Sequence, residues 1–425
     1  MTEGNRPEWA SRLQAARSGE GWTQREMASA LVAAASERIR AGLPDRESII
    51  RNIKDWEAGA HKPSDRYRLL YCRVFGKSEA ELFGEAQASE TPTPDGPTTL
   101  VNTAVDEISE LGLWVETTNV GTGALAHFED QARYLARESL RAAPGPNLQR
   151  AAVLTRRILL LVRDGHQHLT QTRDLYMIAG KLCALMSWAS SDLGKIADAY
   201  AYAHTGTILA NQIGHHGVTA LLLSARSKAA FWEGKPTDAA TLARQGFEIS
   251  SPDSARVLLA CQEADAWQVQ GAVGQAKVAI DRARRARNQI NTTDGLGGPF
   301  ECGPARQANY EMGVHLRARE TASALKSAAE AEQAWKDGDT WAYGTWAQVR
   351  IGSAIAYVMA GQVDGAGDAL QPVLQLPDEL RLATLAARLT RELTPLLGDG
   401  HPLALRDHVR EYCLGSTTMG QIPGG

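Results

Sequence analysis

Arg46, Ser48, Arg51, Asn52, Lys54 and Asp55 crowd hydrogen-bonding side chains into ten residues of this chain. Arginine can form paired hydrogen bonds to guanine O6 and N7, and asparagine to adenine N6 and N7. Lysine can reach guanine or phosphate. These residue types, at this density, point to the edges of DNA bases. Such a reader has to be a rod with one apolar flank. Asp45 is a helix cap by type, and Ile49, Ile50, Ile53 and Trp56 recur at spacings of three and four. The spacing predicts a helix from Asp45 to Ala58 with that stripe buried and the polar residues outward. Gly59 supplies the left-handed residue that stops it.

A second short helix is expected upstream. In Gly21-Trp22-Thr23-Gln24-Arg25-Glu26-Met27-Ala28, Thr23 is placed to cap and Glu26, three residues later, completes a capping box. Each helix is too small to bury its own apolar face. Two of them, joined by a turn and flanked by basic residues, describe a helix-turn-helix.

Composition fits one small DNA-touching unit on a larger body. The 425 residues exceed a single core, so two or more domains are expected. Net charge is −4, yet residues 1–77 carry 14 Lys and Arg against 10 Asp and Glu. The head is thus modestly basic and the remainder acidic. No apolar run nears the roughly 20 residues that cross a bilayer, and residues 1–8 lead into no apolar segment. Five cysteines, 72, 183, 261, 302 and 413, are far apart and form no C-x-x-C. They read as reduced thiols of a cytoplasmic protein, with neither a disulfide framework nor a zinc site.

Residues 8–84 form one helical unit. From 85 to 100 the periodic apolar residues vanish and Pro92, Pro94 and Pro97 fall within six residues, marking an extended linker. The body, 101–415, reads as helical. Its one strand-like stretch, Leu113 to Thr118, is short and isolated and is read as linker or helix lead-in. Gly194-Lys195-Ile196-Ala197-Asp198-Ala199 is echoed by Gly234-Lys235-Pro236-Thr237-Asp238-Ala239, and more weakly from Gly271 and Gly361. The missing turn before Gly361 is expected between Arg317 and Ala322. Units of this length built from two helices are the mark of a helical solenoid. The fold class is therefore all-α: a helix-turn-helix bundle, a Pro-rich linker, and an α-solenoid of helical hairpins.

Specific residues carry a family resemblance. Trp22 to Ala28 resembles the "(L/W)-T-Q-x-E-(L/M)-A" helix of Xre/Cro-type regulators. Ile53 to Gly59 with Pro63-Ser64 resembles their "I-x-x-W-E-x-G-x-x-x-P-S" close. The segment from Ser29 to Pro44 departs from the pattern, replacing a tight turn with a longer connection. The whole chain resembles actinobacterial Xre-type regulators with a C-terminal tetratricopeptide-like domain, and the body's repeats span roughly 165–395. The resemblance implies a cytoplasmic transcriptional regulator that binds double-stranded operator DNA. It would dimerise through its repeats and respond to a small molecule or peptide. Gln24 then sits where the family places a phosphate contact, with Lys62 a second phosphate candidate, and the capping Thr23 joins them in the DNA-binding set. The reading set is Arg46, Ser48, Arg51, Asn52, Lys54 and Asp55. The alternative is a repeat-based interaction adaptor whose head reads no DNA.

Other constellations point to nothing catalytic. His166-Gln167-His168 and His215-His216 have spacings that share no helix face and no completing acids, so they are read as surface turns. Arg282 to Arg287 reads as the solvated face of a repeat helix, with an anion site as the competing reading. Gly121-Thr122-Gly123 and Gly295 to Gly298 lack the strand of a nucleotide loop. No nucleophile, metal or cofactor motif appears, and no enzyme is expected.

Overall fold

A computed structural model describes residues 6–35, 40, 43–84, 118–121, 123–292, 295–397 and 403–418. The linker expected at 85–100, the strand-like stretch to residue 117, and residues 36–39 and 41–42 of the lengthened connection lie outside them. No strand occurs among the described residues. The chain divides into two compact units, Met1–Asp106 and Glu107–Gly425.

The head contains α1 (Glu8–Gly19), α2 (Gln24–Ala34), α3 (Arg46–Ala58), α4 (Asp65–Phe75) and α5 (Glu79–Phe83). Local chemistry sets their ends. Thr23 and Glu26 close a capping box at α2, and Ser78 and Glu81 close another at α5. The Asp45 carboxylate accepts the Ser48 amide at 2.9 Å to start α3, and Gly59, at φ 81°, stops it. The apolar stripe faces inward as its spacing demands. Ile49, Ile53 and Trp56 are buried with Leu13, Met27, Leu31 and Leu70, and Ile50 packs half-buried against the same core. Aromatic rings finish that core: Trp56 lies 4.7 Å from Tyr67, and Tyr71 meets Phe83 edge-on at 6.1 Å. Helix α3 packs against α1 and α2, which leaves its other face open.

The body begins with α6 (Ala124–Glu138) and α7 (Pro144–Asp164). Five helical hairpins follow: α8 (Leu169–Asp192) with α9 (Ile196–Ile213), α10 (His216–Glu233) with α11 (Pro236–Ile249), α12 (Ser254–Val269) with α13 (Val273–Arg287), α14 (Pro304–Arg317) with α15 (Thr321–Lys336), and α16 (Tyr343–Met359) with α17 (Val363–Leu374). The first helix of each hairpin packs on the first helix of the next, from α8 through α16. Left-handed residues turn each hairpin: Gly194, Gly234, Gly271, Arg319 and Gly361. The fourth turn lies inside the expected segment, but an arginine at φ 60° stands where its counterparts are glycine.

Small residues set the spacing between helices. A Cβ at Gly206 in α9 would fall 2.5 Å from Leu222 Cδ2 in α10; at Gly246 in α11 it would fall 2.6 Å from Leu259 Cδ2 in α12. The same close approach thus recurs in successive hairpins, which is the physical content of the repeat. After α17 the chain turns back. Helix α18 (Ala383–Arg388), continued by a π turn over Leu389–Leu393, touches both α8 and α16. Thr384 donates to Asp192 Oδ1 at 3.2 Å, and Arg388 Nη1 donates to Gln348 Oε1 at 2.7 Å. Tyr343 N also donates to Leu140 O at 3.1 Å, joining the start of α16 to the segment after α6. The array is thereby bridged across its inner side. The final helix, α19 (Leu403–Thr418), packs against α17 and α18.

Candidate functional site

In the head, the two elements that suggested the fold bind each other. Arg17 Nε and Nη2 donate to Glu57 Oε1 and Oε2 at 2.6 and 2.9 Å, a bidentate pair only 12 % and 5 % exposed. Gln24 Nε2 donates to the same Glu57 Oε2 at 2.9 Å, and Arg17 Nη1 donates to Trp22 O at 2.5 Å. A buried carboxylate is tolerated when charge-assisted hydrogen bonds satisfy it. The T-Q and W-E pieces are therefore two halves of one polar clamp that fixes α1, α2 and α3.

That clamp sorts the nine candidate residues. Thr23 donates to Glu26 Oε2 at 2.8 Å and serves the cap of α2. Gln24 is held by Glu57 and half-buried. Arg46 donates to Arg25 O at 3.2 Å and to Ser29 Oγ, tying α3 to α2. Ser48 donates to Asp45 Oδ2 at 3.0 Å. Asn52 is half-buried beside the Tyr67 hydroxyl, and Asp55 is half-buried. Arg51, Lys54 and Lys62 are exposed, and none makes an ion pair with the described residues. They are the groups most available to an outside anion. The Arg17–Glu57 clamp was not among the candidates; the signal for it was Glu57, an acid one residue after Trp56 on the buried flank of the helix.

The body holds a partly enclosed cavity of about 170 Å3 on the inner side of its hairpins. Trp188 of α8, Lys228 of α10, Asp265 of α12, Arg306 and Tyr310 of α14, and Arg388 of α18 line it. Lys228 Nζ sits 4.1 Å above the Trp188 ring and 2.6 Å from Asp192 Oδ2. Burial nevertheless pushes its ammonium down to about 8, with the Arg306 charge acting in the same direction. Burial pushes the Asp265 carboxyl up to about 6; the Gln268 hydrogen bond opposes this and the Glu392 charge adds to it. Arg306 stacks 5.1 Å from the Trp188 ring.

Several sequence constellations resolve into structure. The arginine run staples helices, although Arg284 and Arg285 remain exposed. Arg282 pairs with Glu263, Arg284 with Glu311 at 2.5 Å, and Arg287 donates to Gln307 Oε1 at 2.5 Å while Ala283 and Ala286 pack inward. The expectation of a solvated face holds for Arg284 and Arg285 and is corrected for Arg282 and Arg287, which are half-buried; acids on α12 and α14 pair with two of the four arginines, Arg282 and Arg284. His215 Nδ1 accepts the Val218 amide at 3.2 Å and caps α10, and no metal-binding cluster forms among the described residues. Trp188 and Trp232 line the cavity, whereas Trp267, Trp335 and Trp346 pack against core clusters. Cys261 and Cys302, distant in sequence, meet in the core with sulfurs 3.9 Å apart. No helix among the described residues is long and apolar enough to cross a membrane. Compared with models of protein families, with curated proteins and with solved structures, the chain matches none.

Proposed function

We propose that this chain is a sequence-specific DNA-binding transcriptional regulator. In this reading α2 and α3 are an Xre/Cro-type helix-turn-helix, and the five hairpins are a tetratricopeptide-like solenoid that dimerises and receives a small effector. One observation carries the reading. Helix α3 is a continuous rod whose apolar flank is buried, while Arg51 and Lys54, without an ion pair among the described residues, stand exposed on its open flank. Phosphate contacts come from Lys62 and from the exposed amino end of α2 at Thr23. Dimerisation through the body places two heads on one operator and raises affinity through effective concentration. Val153 and Leu160 on α7 are exposed apolar groups that suit such a surface.

The test is selection of genomic DNA fragments by the purified full-length protein, followed by titration across salt. A reader enriches a common sequence, and its affinity falls steeply as salt rises while a sequence preference remains. Arg51→Ala combined with Lys54→Ala abolishes the enrichment and leaves the melting temperature unchanged. Enrichment that survives the double change refutes α3 as the reading helix.

The adaptor reading has its own observation. Gln24, Arg46 and Ser48 are bonded within the head, so a fraction of the expected DNA-facing set serves structure instead. An adaptor head shows weak DNA binding with no residual sequence preference at any salt concentration, and that outcome would favour it.

A further inference from the structure

The cavity's charges do not all find partners. Lys228 pairs with Asp192, and Arg388 pairs with Glu392 at 3.2 Å. Arg306 and Asp265 form no ion pair among the described residues. Arg306 Nη1 donates to Pro299 O at 2.6 Å and to Glu301 O at 2.8 Å, which anchors the guanidinium without neutralising it. Asp265 accepts from Gln268 Nε2 at 3.1 Å, and the side-chain-free Gly313 lies opposite, where a Cβ would be 3.9 Å from Asp265 Oδ1. Tyr310, one turn after Arg306, is close enough to both for each charge to act on its hydroxyl.

Two more groups ask for a donor. Asn147, 3 % exposed, gives its Nδ2 to Leu135 O at 2.9 Å, but its Oδ1 has no hydrogen-bond partner. Asn309 Oδ1 is likewise buried without a partner, and both residues line the cavity. A half-buried cation and a half-buried carboxylate that do not pair each carry part of a desolvation penalty, as do buried acceptors without donors. A guest with an anionic group, a donor-rich cationic group and an apolar part relieves all of these together. The cavity's size sets the scale: at about 10–15 Å3 per water-sized position, its roughly 170 Å3 holds about 11 to 17 non-hydrogen atoms. That is the size of a single amino acid.

We propose that the cavity binds a free amino acid with an apolar or aromatic side chain, its carboxylate on Arg306, its ammonium on Asp265, and its side chain against Trp188, Phe231 and Tyr310. The assignment rests on the effector part of the proposed function and is independent of whether the head reads DNA. Lys228 and Asp192 satisfy each other beneath Trp188 and shape the wall. Segment α18 closes the guest's side of the cavity through Thr384 and Arg388.

The test titrates each of the twenty free amino acids into the full-length protein by calorimetry and thermal shift, with no DNA present. At least one apolar or aromatic amino acid binds. Its decarboxylated amine and its deaminated acid each bind at least tenfold more weakly. Arg306→Gln erases the discrimination against the amine, and Asp265→Asn erases the discrimination against the acid. Each variant is compared with itself across the three compounds, so a general loss of affinity does not imitate the result. If a variant fails to fold, the three-compound series on the unaltered protein decides alone. The proposal is overturned if no amino acid binds, if the single-charge analogues bind as tightly as the zwitterion, or if discrimination survives both substitutions. Loss of DNA binding bears on the head and leaves this outcome unaffected.

Discussion

The head and the body handle charge in opposite ways. In the head, one buried bidentate pair locks three helices, and Arg51 and Lys54 of α3, which take no part in it, stand in open solvent. In the body, arginines on α13 are tied to neighbouring helices, and Arg306 and Asp265, without an ion pair among the described residues, face an internal cavity. The difference teaches where each unit meets something else. Unpaired charge on a convex helix suits a large polyanion, because solvent keeps the group inexpensive until the partner arrives. Unpaired charge inside a cavity is costly at rest and suits a small guest that replaces lost water.

The strongest way to break this comparison is to remove the head's clamp. Arg17→Ala leaves Glu57 buried without its partner, and the head should lose about 3–5 kcal/mol of stability. Chemical denaturation monitored by circular dichroism will show an early transition assigned to the head. A melting curve indistinguishable from the unaltered protein would mean the pair is ornamental.

Asp265 sharpens the body's half. Its folded carboxyl is raised above the ordinary value, so the folded chain binds that proton more tightly than the unfolded chain does. The sign follows: the contribution is most favourable at acid pH and is lost as pH rises through about 6. The groups acting on it are Gln268, Glu392 and Arg388. Asp265→Asn should therefore stabilise the body above pH 7, by up to about 3 kcal/mol, with the gain shrinking toward pH 4. Denaturant midpoints across that pH range check it; a gain independent of pH would reject the ionised carboxylate as its source.

At the head's surface the expected effect falls on binding. Arg51→Ala with Lys54→Ala should reduce the slope of log affinity against log salt by about 2 and change stability by less than about 0.5 kcal/mol. The smallest effect concerns the odd repeat turn. Arg319 holds a left-handed conformation that costs a side-chain-bearing residue about 1 kcal/mol, so Arg319→Gly should raise the melting temperature slightly. A drop would mean the arginine side chain contributes more than its backbone costs.

Much of the head was readable in the sequence because its signals are local. Capping at Thr23 and Asp45, the stripe of Ile49, Ile53 and Trp56, and the stop at Gly59 are each fixed within four residues. The positions of the hairpin turns were readable for the same reason, including the fourth, which carries no glycine. The role of Gln24 was not readable, because the carboxylate that holds it lies 33 residues away. The pairing of Arg282 and Arg284 was unreadable for a similar reason: periodicity shows which residues lie on a face, but not that an acid on another helix stands opposite.

By itself, the sequence determined that this protein is helical, where α2 is capped, where α3 starts and stops and which stripe of it is apolar, and where the hairpin turns fall. These follow from backbone caps, left-handed glycines and a period of 3.6 residues, all of which act over short distances. Only the tertiary structure decided which charges are paired and which are left over. That outcome depends on residues brought together across the array, such as Asp192 with Thr384 and Glu57 with Arg17. Coulombic and hydrogen-bonding terms act across space without regard to chain separation, so linear spacing carries no record of them.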